Sequence, residues 1–306
     1  MTVGAGTTEY TVASVMDRLF QTYLTPPDDQ YAQVRLGTNI TSTTVETIII
    51  GSFTIPEDEA LLRQGSIIEA NQELMRVVSY DQVAGSIEVT RGEYGTIPAL
   101  HSTPLLMNLN PLYTRAAVFE AVADNIVLLY PKLFTVEATY LGSVAGSVYP
   151  VNDDLAVQVL SAWVDGWNSN TDIMAEIVDY HPMAAGRAII TNHPAGGSMW
   201  FRYRKRMAKA TAETDVLSDL GVDERWTNIV MTGAAADLIV GRDIPASQTE
   251  WIKSVLEAET IRVGTRMSIG GGLRQYRGML LDDAANEMRA EYTPKIRMRN
   301  PMKSIT

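Results

Sequence analysis

Hydrophobic positions along this chain change period several times, and each change marks an expected element. From Thr11 to Leu24, Val12, Val15, Met16, Leu19, Phe20 and Tyr23 recur in steps of three and four, which predicts a short helix. Thr25-Pro26-Pro27-Asp28-Asp29 ends it, because tandem prolines cannot continue a helix. Between Val34 and Asn108 the pattern turns to short apolar or alternating runs. Val45–Phe53 carries the β-branched Ile48-Ile49-Ile50, and Ser66–Ala70, Glu73–Ser79 and Ser86–Arg91 follow, separated by breaks at Pro56, Gly65, Asn71 and Gly85. Strands at this spacing predict a small antiparallel barrel or sandwich.

Thr114–Leu129 returns to helical period, with Ala117, Val118, Ala121, Val122, Ile126 and Leu129 on one face and Tyr130-Pro131 as its stop. Five strand patterns come next: Thr135–Leu141, Ala156–Val164, Met174–Tyr180, Arg187–Thr191 and Met199–Lys205. They predict a β-sandwich-like subdomain. The last third, Glu224 to Tyr292, is helical in pattern. Its first helix holds Trp226, Ile229, Val230, Gly233, Ala236, Asp237 and Val240, breaks at Ile244-Pro245, and is followed by two further helical patterns. Gly233, Ala234, Ala235 and Ala236 form a run of small side chains suited to close helix packing, within the subunit or between copies in a ring.

The expected fold is therefore α+β and multi-module: an α-helical bundle core with an inserted β-sandwich-like subdomain and an N-terminal small β-barrel. Residues 1–27 form an N-terminal helix or arm, and 28–110 the barrel module. Residues 111–292 form the core, with helix 114–129, β-subdomain 134–206 and C-terminal helices 215–292. Residues 293–306 form an extended tail.

Composition narrows what such a chain does. Hydrophobic residues at 46% and charged residues at 20% describe a folded chain rather than a disordered one. A net charge of −11 argues against general nucleic-acid binding, which needs clustered cations, but does not exclude DNA passing nearby, since an acidic wall repels a polyanion. With no cysteine there is no disulfide, thiolate metal site or cysteine nucleophile. The start, Met1-Thr-Val-Gly-Ala-Gly6, lacks the pattern of a signal peptide, and no apolar run approaches a membrane span. The charge is unevenly spread: the tail holds Lys295, Arg297, Arg299 and Lys303 and no acid. It reads as a segment that orders on a partner with an acidic groove.

Catalytic groupings do not assemble. His101 has no second histidine or acid cluster nearby in sequence, so a structural or surface role is expected. Asp28-Asp29, Asp153-Asp154 and Asp282-Asp283 lack histidines at metal spacing and read as turns or solvated faces. Gly270-Gly271-Gly272 lacks the Lys-Ser/Thr of a phosphate loop and reads as a hinge or a close approach between helices. His181 and His193 flank an expected hairpin with no acid in register. Trp200-Phe-Arg-Tyr-Arg-Lys-Arg206 alternates aromatic and basic residues, as a strand with aromatics inward and cations in water does. No catalytic, cofactor or metal residue is assigned, and no enzymatic activity is expected.

Two stretches carry a resemblance. Glu73-Leu-Met-Arg-Val77, then Val89-Thr-Arg-Gly-Glu-Tyr-Gly-Thr96 and Ala99-Leu-His101, resembles a recurrent β-module of tailed-bacteriophage virion proteins. Val230-Met-Thr-Gly-Ala-Ala-Ala-Asp-Leu-Ile-Val-Gly-Arg-Asp243, with Tyr130-Pro-Lys-Leu133 ending the earlier helix, is similar to head-to-tail connector proteins of long-tailed phages. The resemblance implies a structural virion protein of the neck, assembled in the host cytoplasm: an adaptor whose copies form a homo-oligomeric ring, of twelve, under the portal protein. That ring would join the capsid to stopper or tail proteins and line a DNA exit channel without specific binding or membrane contact, with Lys295, Arg297, Arg299 and Lys303 as its portal-docking tail. The alternatives are another neck, tail-completion, stopper or baseplate part, or a receptor- or carbohydrate-binding display module using Trp163, Trp167 and Trp200.

Overall fold

The computed structural model describes residues 10–24, 32–141, 148–151, 153–164, 173–175, 177–183, 186–191, 199–240 and 266–291. The chain contains both helices and strands and divides into two compact units. The first takes residues 1–127 and 208–276, the second 128–207 and 277–306.

At the centre of the first unit is a closed antiparallel barrel of six strands: β1 (Gln33–Leu36), β2 (Thr47–Phe53), β3 (Ile67–Ala70), β4 (Glu73–Asp81), β5 (Ser86–Thr90) and β6 (Leu106–Leu109), in spatial order β1-β2-β5-β4-β3-β6 with β6 returning to β1. Closure leaves no unpaired edge. The period-2 rule sorts the side chains. Ile48 and Ile50 enter the core while Ile49 points out, so the β-branched run serves two faces. Val34, Leu36, Ile68, Ala70, Met75, Val77, Ile87, Val89, Met107 and Leu109 complete the interior. Each of the larger aliphatics contributes roughly 1.5–3 kcal/mol by leaving water. The register shifts twice: β2 holds an extra residue between Ile50 and Phe53 opposite Val34–Leu36 of β1, and β4 holds one between Val77 and Ser79 opposite β5. Four of the strands were expected from the sequence; β1 and β6, which close the cylinder, were not.

Three helices belong to the same unit: α1 (Val12–Leu19, prolonged by one π turn to Leu24), α2 (Arg115–Val127) and α3 (Thr227–Ile239). Thr11 caps α1 by accepting the Ser14 amide through Oγ1, and the Val12 and Ala13 amides donate to the carbonyls of Asp215 and Glu213. Helix α3 is buried nearly all round, as its apolar composition requires. Its Thr232 hydroxyl donates to the Asn228 carbonyl and lies 3.4 Å from Tyr23 Oη, and Asn125 Nδ2 of α2 donates to Asp237 at 2.9 Å. The helical pattern expected from Glu224 starts as a 3-10 turn, Glu224–Trp226, and becomes α-helical at Thr227, while residues 215–223 of the expected helical region are not helical. Before it, Asp215 accepts the Thr211 and Ala212 amides and holds that segment in turns.

In the second unit, β7 (Thr135–Leu141), β9 (Ala156–Val164), β10 (Ile173–Ala175) and β13 (Met199–Lys205) form one antiparallel sheet in the order β10-β9-β13-β7. A second sheet joins β11 (Ile177–Met183), β12 (Gly186–Thr191) and β8 (Val148–Val151). The chain ends its described part in α4 (Arg266–Glu291), a continuous helix.

Candidate functional site

The motif residues of the barrel converge on one buried ionic cluster. Glu73 begins β4 on the same face as Met75 and Val77, so its carboxylate enters the mouth of the barrel. The residue is 1% exposed. Arg91, at the end of β5, grips it with two parallel bonds, Nε to Oε1 at 2.5 Å and Nη2 to Oε2 at 2.6 Å. His101 Nε2 lies 2.8 Å from Oε2, and the Ala99 amide donates to the same oxygen at 2.9 Å. Burial alone would raise this carboxyl, but Arg91, His101 and the Ala99 amide outweigh it and hold the group down at about 2. Arg91 spends its remaining donors on the carbonyls of Ser42, Val45 and Ala99.

Between Arg91 and His101 the backbone takes three left-handed positions, Gly92 (φ 68°), Tyr94 (φ 54°) and Gly95 (φ 81°). At Gly92 a Cβ would stand 2.9 Å from the Thr96 carbonyl and 3.0 Å from Pro98 Cδ, so glycine is required by space as well as by φ. Thr96 then accepts the Leu74 amide through Oγ1 and donates to the Glu93 carbonyl. The Arg-Gly-x-x-Gly-Thr spacing is thus a folded loop, held at its start by the Arg91–Glu73 salt bridge and at Thr96 by hydrogen bonds to Leu74 and Glu93. His101 is buried rather than on the surface, and its acid partner comes from 28 residues away.

The clamped loop forms one wall of a cleft of about 1020 Å³ between the barrel and α2. Its floor is the outer face of β3 and β6. Glu69, out of phase with the inward Ile68 and Ala70, lies there beneath the start of α2 and is 3% exposed. It accepts the Arg115 amide, closing a chain in which Gln33 donates to Asn108 and Asn108 donates to Glu69. Burial pushes its carboxyl up to about 7 against the pull of those donors and of the Arg115 charge, and Glu213 adds repulsion. The Arg115 guanidinium turns instead to Glu213, with Nε to Oε1 at 2.7 Å and Nη2 to Oε2 at 2.5 Å, and to Asp17 at 3.1 Å. Gln72, in the β3–β4 turn, also donates to Glu213. The sequence reading missed this group. Its one signal was an acid inside the apolar run Ile67-Ile68-Glu69-Ala70.

Gly233, Ala234, Ala235 and Ala236 are buried within α3 by the chain itself. Gly270 is a close approach, since a Cβ there would meet Val240 Cγ2 at 2.4 Å, and α4 runs through Gly270–Gly272 without a break. Phe201 and Tyr203 point inward, whereas Trp200 lies on the opposite face of β13 with Arg202 and Arg204 and packs on Tyr140, so only two of the three aromatics are core. Arg204 stacks over Phe134 at 4.3 Å. Asp153 pairs with Lys205 at 3.1 Å and accepts from Tyr203, and Asp282 pairs with Lys132. His181 pairs with Ala188 in the β11–β12 ladder. Asp28, Asp29, Trp167, His193 and the tail cations Lys295, Arg297, Arg299 and Lys303 lie outside the described residues. Among the described residues no cluster of acids and histidines could hold a metal, and no helix is long and apolar enough to cross a membrane.

The chain matches no protein-family model and no curated protein.

Proposed function

We propose that this chain is a structural subunit of a tailed-phage neck, a head-to-tail adaptor whose copies form a ring of twelve beneath the portal. In this reading α1, α2 and α3 are the core of a helical bundle. The two sheets of the second unit are a sandwich-like subdomain inserted between α2 and α3, and the barrel is the virion module that the motif resembles. The observation that carries the reading is the convergence of Glu73, Arg91, Gly92, Gly95, Thr96 and His101 on one clamped loop. Positions that looked like a motif in sequence have a single shared physical task, which is what a recurrent module requires. The acidic balance of the chain suits a channel wall that DNA passes without adhering.

The test is the mass of the full-length protein alone and mixed with portal, by light scattering or native mass spectrometry. The expected outcome is a monomer or small oligomer alone and a ring on the portal, lost when residues 293–306 are deleted. Glycan binding with no affinity for portal would instead support a display module.

A further inference from the structure

Strand β13 divides its side chains between two chemically different faces. Phe201 and Tyr203 are 0% and 3% exposed, and Lys205, of the same parity, pairs with Glu137 at 3.2 Å and Asp153 at 3.1 Å. The opposite parity sets Trp200, Arg202 and Arg204 in line on the outer face. Trp200 pairs in register with Tyr140 of β7 and Trp163 of β9. Its ring lies 5.1 Å from that of Tyr140, which is 47% exposed. One rung on, exposed Arg202 stands in register between Ala138 and Ser161. One rung further, Arg204 stacks over Phe134 at 4.3 Å, which fixes the plane of its guanidinium. Among the described residues neither Arg202 nor Arg204 is ion-paired, because the acids nearest in register, Glu137 and Asp153, are taken by Lys205.

The acidity of the chain does not bear on this face. The second unit, residues 128–207 and 277–306, holds 12 Lys and Arg against 11 Asp and Glu, a net of +1, which puts −12 on the first unit in a total of −11. An anion that approaches β13 therefore meets a unit that does not repel it.

The face offers an aromatic pair for a flat ring and two cations spaced roughly 6.6 Å along the strand for successive negative charges. Single-stranded nucleic acid repeats both groups. A duplex hides its base faces, and an acidic polysaccharide carries charge without a π-face. Stacking on aromatic side chains beside a cationic track is also tolerant of sequence. We infer that the outer face of β7, β13 and β9 binds single-stranded nucleic acid, with bases stacked on Trp200 and Tyr140 and phosphates on Arg202 and Arg204. The inference goes beyond the neck reading and does not rest on it.

The experiment titrates the full-length chain into a fluorescent oligothymidylate of about 15 nucleotides, the span of a small single-strand site. Anisotropy gives the affinity, and irradiation of an iododeoxyuridine version maps the contacts by mass spectrometry. Cross-links are expected at 138–140 and 200–204. Arg202→Gln with Arg204→Gln should flatten the slope of log affinity on log salt by about 1.4, the share of two phosphates on a single strand. Arg202→Gln alone, at an exposed position, should flatten it by about 0.7 with an unchanged urea midpoint. Trp200→Ala should weaken binding about tenfold, and Tyr140→Ala makes the same test on a half-exposed ring. Absence of binding, a salt slope unchanged in the double variant, or cross-links confined to 293–306 overturn the inference. So does competition by duplex DNA or hyaluronate as effective as that of unlabelled oligothymidylate. A chain that joins portal and ignores the oligonucleotide loses only this assignment, and one that binds it on β13 but never joins portal loses only the neck reading.

Discussion

Glu69 and Glu73 flank the same two-residue turn between β3 and β4, both are sealed from solvent, and their carboxyls are driven in opposite directions. The difference is one of strand parity. Glu73 shares a face with Met75 and Val77 and so enters the barrel mouth, where a bidentate guanidinium, an imidazole and an amide meet it. Glu69 shares the opposite face with Leu74, its cross-strand partner, and meets only the Arg115 amide and an Asn108 side chain. The nearest guanidinium is committed to Glu213 and Asp17. A buried acid is held charged when cations are aimed at it, and is pushed toward neutrality when they are aimed elsewhere. One glutamate locks a loop; the other sits beneath the helix start that borders the cleft.

The strongest way to break this contrast is to remove the lock. Glu73→Ala leaves Arg91 buried without a counter-charge and should destabilise the fold by about 3–5 kcal/mol, read as a lowered urea midpoint. Glu69→Ala should cost clearly less, and equal losses would show that the two sites do not differ as described.

Acid titration separates them next. Glu73 is depressed from 4.5 to about 2, so its contribution is present above pH 4.5 and is lost as pH falls toward 2. That contribution amounts to about 3 kcal/mol. Glu69 is raised from 4.5 to about 7, so the folded state binds its proton more tightly than the unfolded one, and stability falls as pH rises from 4.5 to 7. Urea midpoints for wild type and Glu69→Gln across pH 4.5–8 check this, because the variant should lose that slope and keep the acid limb below 4.5. A wild-type slope that survives in Glu69→Gln belongs to another group.

A smaller effect is expected from the loop backbone. Gly92→Ala must accept a left-handed φ and a contact at 2.9 Å, a cost of about 1–3 kcal/mol. Gly95→Ala meets no atom within 4 Å and should lose only the conformational part, about 1 kcal/mol. The smallest change belongs to Ile97→Lys, whose side chain is exposed and whose melting temperature should stay within about 2 °C of wild type.

How far these regions were legible from sequence follows from how local their causes are. Thr135–Leu141, Ala156–Val164 and Met199–Lys205 have the same bounds in pattern and in structure, because alternation within one strand needs no knowledge of its partners. Strands β1, β6 and β8 escaped notice. Each is only four residues long, too short for a period, and β8 contains Pro150. The barrel closes because Gln33 meets Asn108 across the chain, a pairing that no window of sequence contains. His101 looked isolated for the same reason. Its partner Glu73 enters the same barrel mouth from another strand.

By itself, then, the sequence determined where most of the described helices and strands run and that residues 34–108 form a barrel or sandwich of short strands; the resemblance grouped Arg91, Gly92, Gly95 and Thr96. Propensity, period and turn chemistry act over a few residues and are written along the chain. Only the tertiary structure decided which buried glutamate is held down and which is pushed up, which aromatic on β13 faces out, and that Glu69, Arg115 and Glu213 share one cleft. Those outcomes depend on distances between residues far apart in sequence, and in a low-dielectric interior the placement of one guanidinium settles the sign of a carboxyl's shift.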